Sequence, residues 1–429
     1  MHLADRSAMG SVTRSAAGFR LADVLLLCAL ATLVGCASIG GPLPTATPEE
    51  LLAQEIRLGI RTLASDGQIE VLPSSELAQR LASRFADERL SVLALSGGGA
   101  TGAFGAGALV GLDRSGNRPE FSVVTGVSAG ALVAPYAFLG PSWAQDMTAI
   151  YTGNVTRGLL QRHLLGALFG ESVYSGAPLK RLIDRYADDE LLAAVAKEAD
   201  KGRLLLVATT DFATGEPVIW DLGSVALHGG SNAKVLFRTI LLASASVPGM
   251  FPPVTIKFRT AGGSREETHV DGGVTVPFFI APAPKDLAVF GAGGPPLVRI
   301  VIDGRLQDAP YAANRNAVSI FSRSVSAGLS RMTRTTLEWT VDASRQRGIS
   351  VDYAAIPASY PLHGTFNFNP DAQRALFQYA SDCAAAGRLW IHTADAAAGV
   401  PGDRSRTAVA NSACPADDRF IGRFAALDR

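Results

Sequence analysis

The chain has 429 residues, 48% of them hydrophobic, enough to bury a large core, which argues against a disordered or fibrous protein. Its 39 Lys plus Arg balance 39 Asp plus Glu, so no net field draws it to nucleic acid or to an anionic bilayer. Only 18% of residues are charged, and 44 Gly and 23 Pro suit an α/β protein with tight strand-to-helix turns better than a helical bundle.

Arg6, Arg14 and Arg20 precede an apolar run from Leu21 to Val34, interrupted by Asp23, and the run ends in Leu33-Val34-Gly35-Cys36. That order is expected of an export signal, and the run is shorter than the roughly 20 apolar residues that span a bilayer. The four residues ending at Cys36 resemble a bacterial lipobox. The resemblance implies that residues 1–35 are removed, that the Cys36 thiol receives a diacylglycerol, and that the protein is held at a membrane of the cell envelope. Ala37, not aspartate, follows Cys36, which resembles sorting to the outer membrane of a two-membrane cell rather than retention at the inner one. The alternative is an ordinary buried cysteine, as expected for Cys28. Export would place Cys383 and Cys414 in an oxidising compartment, where a disulfide would tie the last segment to the helix predicted around Ala372 to Gly387. The alternative there is two unrelated thiols.

Residues 36–89 read as a tether, rich in Gly, Pro and Thr from Ser38 to Pro48, followed by helical pieces. Leu51, Leu52, Ile56, Ile60 and Leu63 recur at helical spacing, and a second amphipathic piece runs from Ser75 to Ala86. Residues 90–395 read as one domain. Apolar runs at Leu90–Leu95, Phe121–Thr125, Arg203–Ala208 and Leu297–Ile302 predict buried parallel strands. Helices predicted at Gly105–Leu112, Ala129–Leu139 and Pro178–Tyr186 give the alternation of a doubly wound, mostly parallel sheet flanked by helices. Residues 396–429 read as a coil-like tail, and there is no internal repeat.

Ser96 to Gly107 reads Ser-Gly-Gly-Gly-Ala-Thr-Gly-Ala-Phe-Gly-Ala-Gly, after a predicted strand and before a predicted helix. Glycine admits positive φ, and such a turn leaves the N–H groups of Gly97, Gly98, Gly99, Ala100 and Gly102 near a helix N-terminus, where partial positive charge collects. Three readings compete. A phosphate-binding P-loop needs Lys and then Ser or Thr after its last glycine; Ala103-Phe104 stand after Gly102, so that reading fails. Gly97, Gly99 and Gly102 fit the dinucleotide fingerprint, but the acid expected about 20 positions on, Glu120, precedes a strand rather than ending one. The third reading is an oxyanion hole, a set of donors waiting for the oxygen that becomes charged as an ester carbonyl turns tetrahedral.

Gly126-Val127-Ser128-Ala129-Gly130 lies between a predicted strand and a predicted helix, the setting of a nucleophile elbow rather than of an ordinary N-cap serine. A serine hydroxyl needs a base. His363 and His392 are candidates for a triad, whereas Asp271-Gly272-Gly273 puts a carboxylate on a tight turn, a position also common for plain turn aspartates.

Taken in order, the glycine-rich loop, the serine elbow and the Asp-Gly-Gly turn resemble the patatin-like phospholipases. The block Ala243-Ser244-Ala245-Ser246-Val247-Pro248-Gly249-Met250-Phe251-Pro252-Pro253 is similar to the family's segment before the aspartate, which helps wall an acyl cleft. The resemblance covers about Leu90 to Arg388. It implies the patatin-like α/β fold and hydrolysis of acyl esters of lipids. It makes Ser128 the nucleophile and Asp271 the base of a dyad without histidine, metal or cofactor, with backbone donors around Gly98 to Ala100. One departure stands out: Thr101 occupies a loop position where members often carry Lys or Arg, so positive charge beside the donors is lower. The competing expectations are a dinucleotide-binding protein and a non-catalytic envelope lipoprotein that keeps the fold.

Overall fold

A computed structural model describes residues 59–85, 87–153, 158–159, 172–287, 290, 293–306, 317–362, 364–393 and 414–417. The segment expected to be an export signal, Cys36, the stretch from Ser38 to Pro48 expected to be a tether, His363 and residues 396–413 lie outside the described residues.

The described chain enters through β1 (Ile60–Leu63), β2 (Ile69–Leu72) and α1 (Ser74–Arg84). Two strand–helix passes follow, β3 (Ser91–Leu95) into α2 (Ala103–Ser115) and β4 (Val123–Val127) into α3 (Ala129–Leu139). Helices α4 (Ala144–Thr152), α5 (Ala177–Tyr186) and α6 (Asp189–Asp200) lead to β5 (Leu204–Asp211) and β6 (Pro217–Asp221). Then come α7 (Leu222–His228), α8 (Ala233–Ser244) and the hairpin of β7 (Val254–Thr260) and β8 (Gly263–Asp271). The order closes with β9 (Leu297–Ile302), α9 (Ala317–Arg345), β10 (Ser350–Ala355), α10 (Pro370–Ala385) and β11 (Ile391–His392).

Among the described residues the sheet runs β11-β10-β9-β3-β4-β5-β6-β1-β2, with β8 also pairing β5 and β7 pairing β8. The central strands from β10 to β5 are parallel. Antiparallel pairings at β11, β6, β8 and β2 finish the edges. Because side chains alternate across a strand, Leu93 and Leu95 of β3 enter one core with Phe104 and Phe138, while Val92 and Ala94 enter the other with Leu77, Leu337 and Val341. Both faces are therefore covered, the condition that lets apolar runs such as Ser91–Leu95 read as strands without polar alternation. This is the doubly wound, helix-flanked sheet expected.

The N-terminal expectation needs correction. Ile60 and Leu63 are at helical spacing, yet they sit in β1, paired in parallel with β6 (Ile60↔Ile219) and antiparallel with β2 (Leu63↔Ile69). A weak period over so few residues gives way to sheet pairing that buries both side chains. The next piece is helical as expected: α1 buries Leu77, Ala78 and Leu81.

Cys383 on α10 is bonded to Cys414, with Cα atoms 5.6 Å apart. An ion pair between Arg388 and Asp417 adds to this fastening of residues 414–417 to the helix. Among the described residues no helix is long and apolar enough to cross a membrane.

Candidate active site

The carboxyl ends of neighbouring parallel strands bring the candidate residues together. Leu95 of β3 pairs with Gly126 of β4, so the loop after β3 and the elbow after β4 start side by side. Ser128 has φ 53° and is the one non-glycine residue with positive φ among those described. Holding a non-glycine residue there costs on the order of 1–3 kcal/mol, so its surroundings must over-determine the turn. They do so with hydrogen bonds: the Ser128 N–H donates to Ser244 Oγ at 3.0 Å, and that hydroxyl donates to the Ala208 carbonyl at 2.7 Å. The flanking glycines are required by space. A Cβ on Gly130 would stand 2.6 Å from the Leu95 and Ser96 carbonyl oxygens, and one on Gly126 would stand 2.7 Å from Ala131 Cα.

Asp271 arrives from a different direction. Val127 of β4 pairs with Ala208 of β5, and Thr209, the next residue, pairs with Asp271 at the end of antiparallel β8. The Ser128 hydroxyl donates to Asp271 Oδ2 at 2.5 Å, and the Gly273 N–H donates to Oδ1 at 2.7 Å. A Cβ on Gly272 would meet the Ala208 carbonyl at 2.4 Å, so both glycines of the turn serve the aspartate. Asp271 is 3% exposed, and burial pushes its carboxyl up to about 7, against the lowering effect of the bonds from Ser128 and Gly273. A group poised there is a competent base near neutral pH.

The glycine loop is partly engaged by the fold itself. The Gly97 N–H donates to the Pro277 carbonyl at 3.0 Å, and the Ala100 N–H donates to the Thr365 carbonyl at 2.8 Å. That corrects the broader donor set expected from the sequence. Gly98 and Gly99 are the loop residues whose N–H groups meet no protein acceptor among the described residues. A Cβ on Gly102 would stand 2.9 Å from the Ala129 methyl, so this position of the loop is held to glycine by space.

Thr101 takes up the role of a staple, its single hydroxyl proton shared between the Gly98 carbonyl at 2.6 Å and the Asp303 carbonyl at 2.5 Å. Asp303 belongs to none of the sequence motifs, yet it braces the loop. Its Oδ1 accepts the Gly105 N–H at 2.7 Å, its own N–H donates to Ser96 Oγ at 2.8 Å, and burial drives its carboxyl well above the usual range. The signal that could find it is its place just after β9, beside β3, at the carboxyl edge of the sheet.

Ser128 lines a largely apolar cavity of about 90 Å³ that is open on one side. Its walls come from α3 (Leu132, Tyr136), α4 (Ile150, Tyr151), α5 (Leu179, Ile183), α8 (Leu241) and the segment after it (Val247, Phe251). The block from Ala243 to Pro253 thus acts three times. Ser244 holds the elbow, the Ser246 carbonyl accepts the Asp271 N–H at 2.9 Å, and Ala245, Val247 and Phe251 line the cavity.

The competing residues lie elsewhere. His392 bonds Asp352 at 2.7 Å on β11, four strands from β4. Glu120 is exposed and faces Arg203 at 3.4 Å, away from any position beside a bound ribose at a strand end. His269 is buried against Thr209 and Glu267, on the hairpin but turned from Ser128 into a cluster with Trp220. Among the described residues no group of His, Cys, Asp and Glu has the arrangement of a metal site.

A hydroxyl on a strained strand-to-helix turn, bonded to a buried carboxylate and placed beside free loop amides, has the parts of a serine acyl hydrolase. Residues 93–282 match the model of the patatin-like phospholipase family. Among solved structures it is similar to VipD from Legionella pneumophila at 14% identity, with 79% of this chain and 72% of that chain covered and a TM-score of 0.34. No match was found among curated proteins.

Proposed function

We propose that this domain hydrolyses acyl esters of lipids through a Ser128–Asp271 dyad and an acyl-enzyme. The supporting observation is the 2.5 Å hydrogen bond from a buried serine hydroxyl to a buried carboxylate at the head of an apolar cavity. Asp271 takes the Ser128 proton as Oγ bonds to the ester carbonyl carbon. The Gly98 and Gly99 amides face the oxyanion, a stabilisation worth roughly 2.7–4 kcal/mol per donor in sites of this kind. Collapse of the tetrahedral species breaks the bond to the alcohol, which leaves with the proton from Asp271. Water then gives its proton to Asp271, attacks the acyl carbon, and frees the fatty acid and the Ser128 hydroxyl. Since the fold already determines the elbow geometry, the ester need only enter with its chain in the cavity.

The loop without a cation at Thr101 relies on backbone dipoles alone, which suits an uncharged ester carbonyl. In the same reading Cys36 carries a lipid anchor that holds the enzyme at the cell envelope, outer membrane in preference to inner, beside its substrates. Incorporation of labelled palmitate, lost in Cys36→Ser, tests the anchor. For the dyad, Ser128→Ala and Asp271→Asn each abolish release of p-nitrophenol from an acyl ester, while His392→Ala and His363→Ala do not. Activity that survives Asp271→Asn and disappears with either histidine would replace the dyad by a triad.

A further inference from the structure

The acyl cavity is not wholly apolar, and one of its polar groups is unaccounted for. Tyr151, on α4, is 8% exposed and lines the cavity together with Ser128, Ala129 and Gly99. Of the neighbouring hydroxyls, Ser128 is bound to Asp271 and Tyr136 donates to the Tyr186 carbonyl at 3.3 Å. The Tyr151 hydroxyl has no hydrogen-bond partner among the described residues. Gln373, another polar wall residue, is held to the Ala100 carbonyl at 3.3 Å.

The position of this phenol is defined by a missing side chain. At the point where a Cβ of Gly102 would stand, the Ala129 methyl is 2.9 Å away and the Tyr151 oxygen 3.5 Å away. Hydroxyl and methyl converge on one spot. Tyr151 and Ala129 both line the cavity, and Ala129 directly follows Ser128, so the phenol lies at the end of the cavity nearest the Ser128 hydroxyl. Burial first, then the carboxyl of Asp303, hold its pKa above the ordinary value, so it stays a neutral O–H donor.

We infer that the channel is built for acyl chains that carry an oxygen function, a hydroxyl or oxo group, within the first few carbons, with the Tyr151 hydroxyl as its partner. This rests on the Ser128-centred hydrolysis proposed above and specifies its substrate class. A plain methylene chain filling the channel would displace water from the phenol and leave a buried donor unpaired. A chain bearing an oxygen there replaces the lost bond. Sites that hydrogen-bond a substrate hydroxyl discriminate strongly against the analogue lacking it, because the protein group is then orphaned. For a single phenol beside an open cavity we expect about a tenfold preference.

The test compares kcat/KM of the full chain for p-nitrophenyl 3-hydroxydecanoate and p-nitrophenyl decanoate, each divided by its rate of spontaneous hydrolysis. Wild type is expected to favour the hydroxy ester by about tenfold, and Tyr151→Phe to bring the ratio close to one. A wild-type ratio at or below one overturns the inference without recourse to the variant. So does a Tyr151→Phe enzyme that loses rate equally on both esters with the ratio preserved, since that places the phenol at the oxyanion or in the scaffold. Hydrolysis of neither ester by folded wild type, with no labelling of Ser128 by a fluorophosphonate, removes the dyad reading and this inference with it.

Discussion

Replacing Asp271 by asparagine should make the protein more stable at pH 8 while ending its hydrolytic activity. The carboxyl is 3% exposed and accepts hydrogen bonds from Ser128 Oγ at 2.5 Å and the Gly273 N–H at 2.7 Å. Those bonds favour the charged form, but desolvation outweighs them and pushes the group up to about 7. An unfolded chain releases the same proton near 3.9. Between these values the folded state binds more protons than the unfolded one, so this group's contribution is full below about pH 4 and is lost as pH rises through about 7. A displacement of about three pH units corresponds to at most about 4 kcal/mol. Asparagine matches the protonated acid in shape and can still accept the Gly273 N–H. The variant and wild type should therefore unfold at similar urea concentrations at pH 4, whereas at pH 8 the variant should be more stable by about 2–4 kcal/mol. Urea titrations of both proteins at the two pH values measure the difference, and other titrating groups, Asp303 included, cancel within it. A variant less stable than wild type at pH 8, or a difference that does not change with pH, refutes the dominance of desolvation at this carboxyl.

The same raised value predicts that kcat/KM for an acyl ester climbs with pH as one group ionises near 7 and then levels, because only the carboxylate can accept the serine proton; a flat profile from pH 5 to 8 contradicts it. Ser244→Ala removes a hydroxyl that joins the Ser128 N–H to the Ala208 carbonyl, and should cost about 1–3 kcal/mol in stability and lower kcat more than it raises KM. The double variant Cys383→Ser, Cys414→Ser opens the covalent link across a sequence separation of 31 residues, and thermal unfolding should report a loss of about 3 kcal/mol with ester hydrolysis retained.

The elbow is legible in the sequence because its information is local: a strand, five residues with glycine at both ends, and a helix. Asp271 is accessible there only through the company of the other blocks, since Asp-Gly-Gly alone is an ordinary turn and the pairing Thr209↔Asp271 that carries it to Ser128 is long-range. Leu297–Ile302 matches its predicted bounds because a short apolar run buried in a central strand is also a local signal. Ile60–Leu63 defeats the helical reading because a strand this short carries no period of its own and is defined by its neighbours β6 and β2. Ser244 and Ser246 stand out only as part of a block, and their spacing does not reveal that one holds the Ser128 amide and the other the Asp271 amide. The apolar cavity beside Ser128 has no linear signature, being assembled from helices far apart in the chain. Nor can spacing reveal that Gly97 and Ala100 give their N–H groups to Pro277 and Thr365, whereas Gly98 and Gly99 find no protein acceptor among the described residues.

Trapping the covalent intermediate tests the central claim most directly. Wild type and Ser128→Ala are mixed with a p-nitrophenyl acyl ester, quenched in acid within seconds, digested and analysed by mass spectrometry. The acyl mass is expected on the peptide containing Ser128 in wild type and to be absent from Ser128→Ala. Turnover of the ester with no acyl group on Ser128, or with the group on another residue, contradicts the assignment of this serine as the nucleophile.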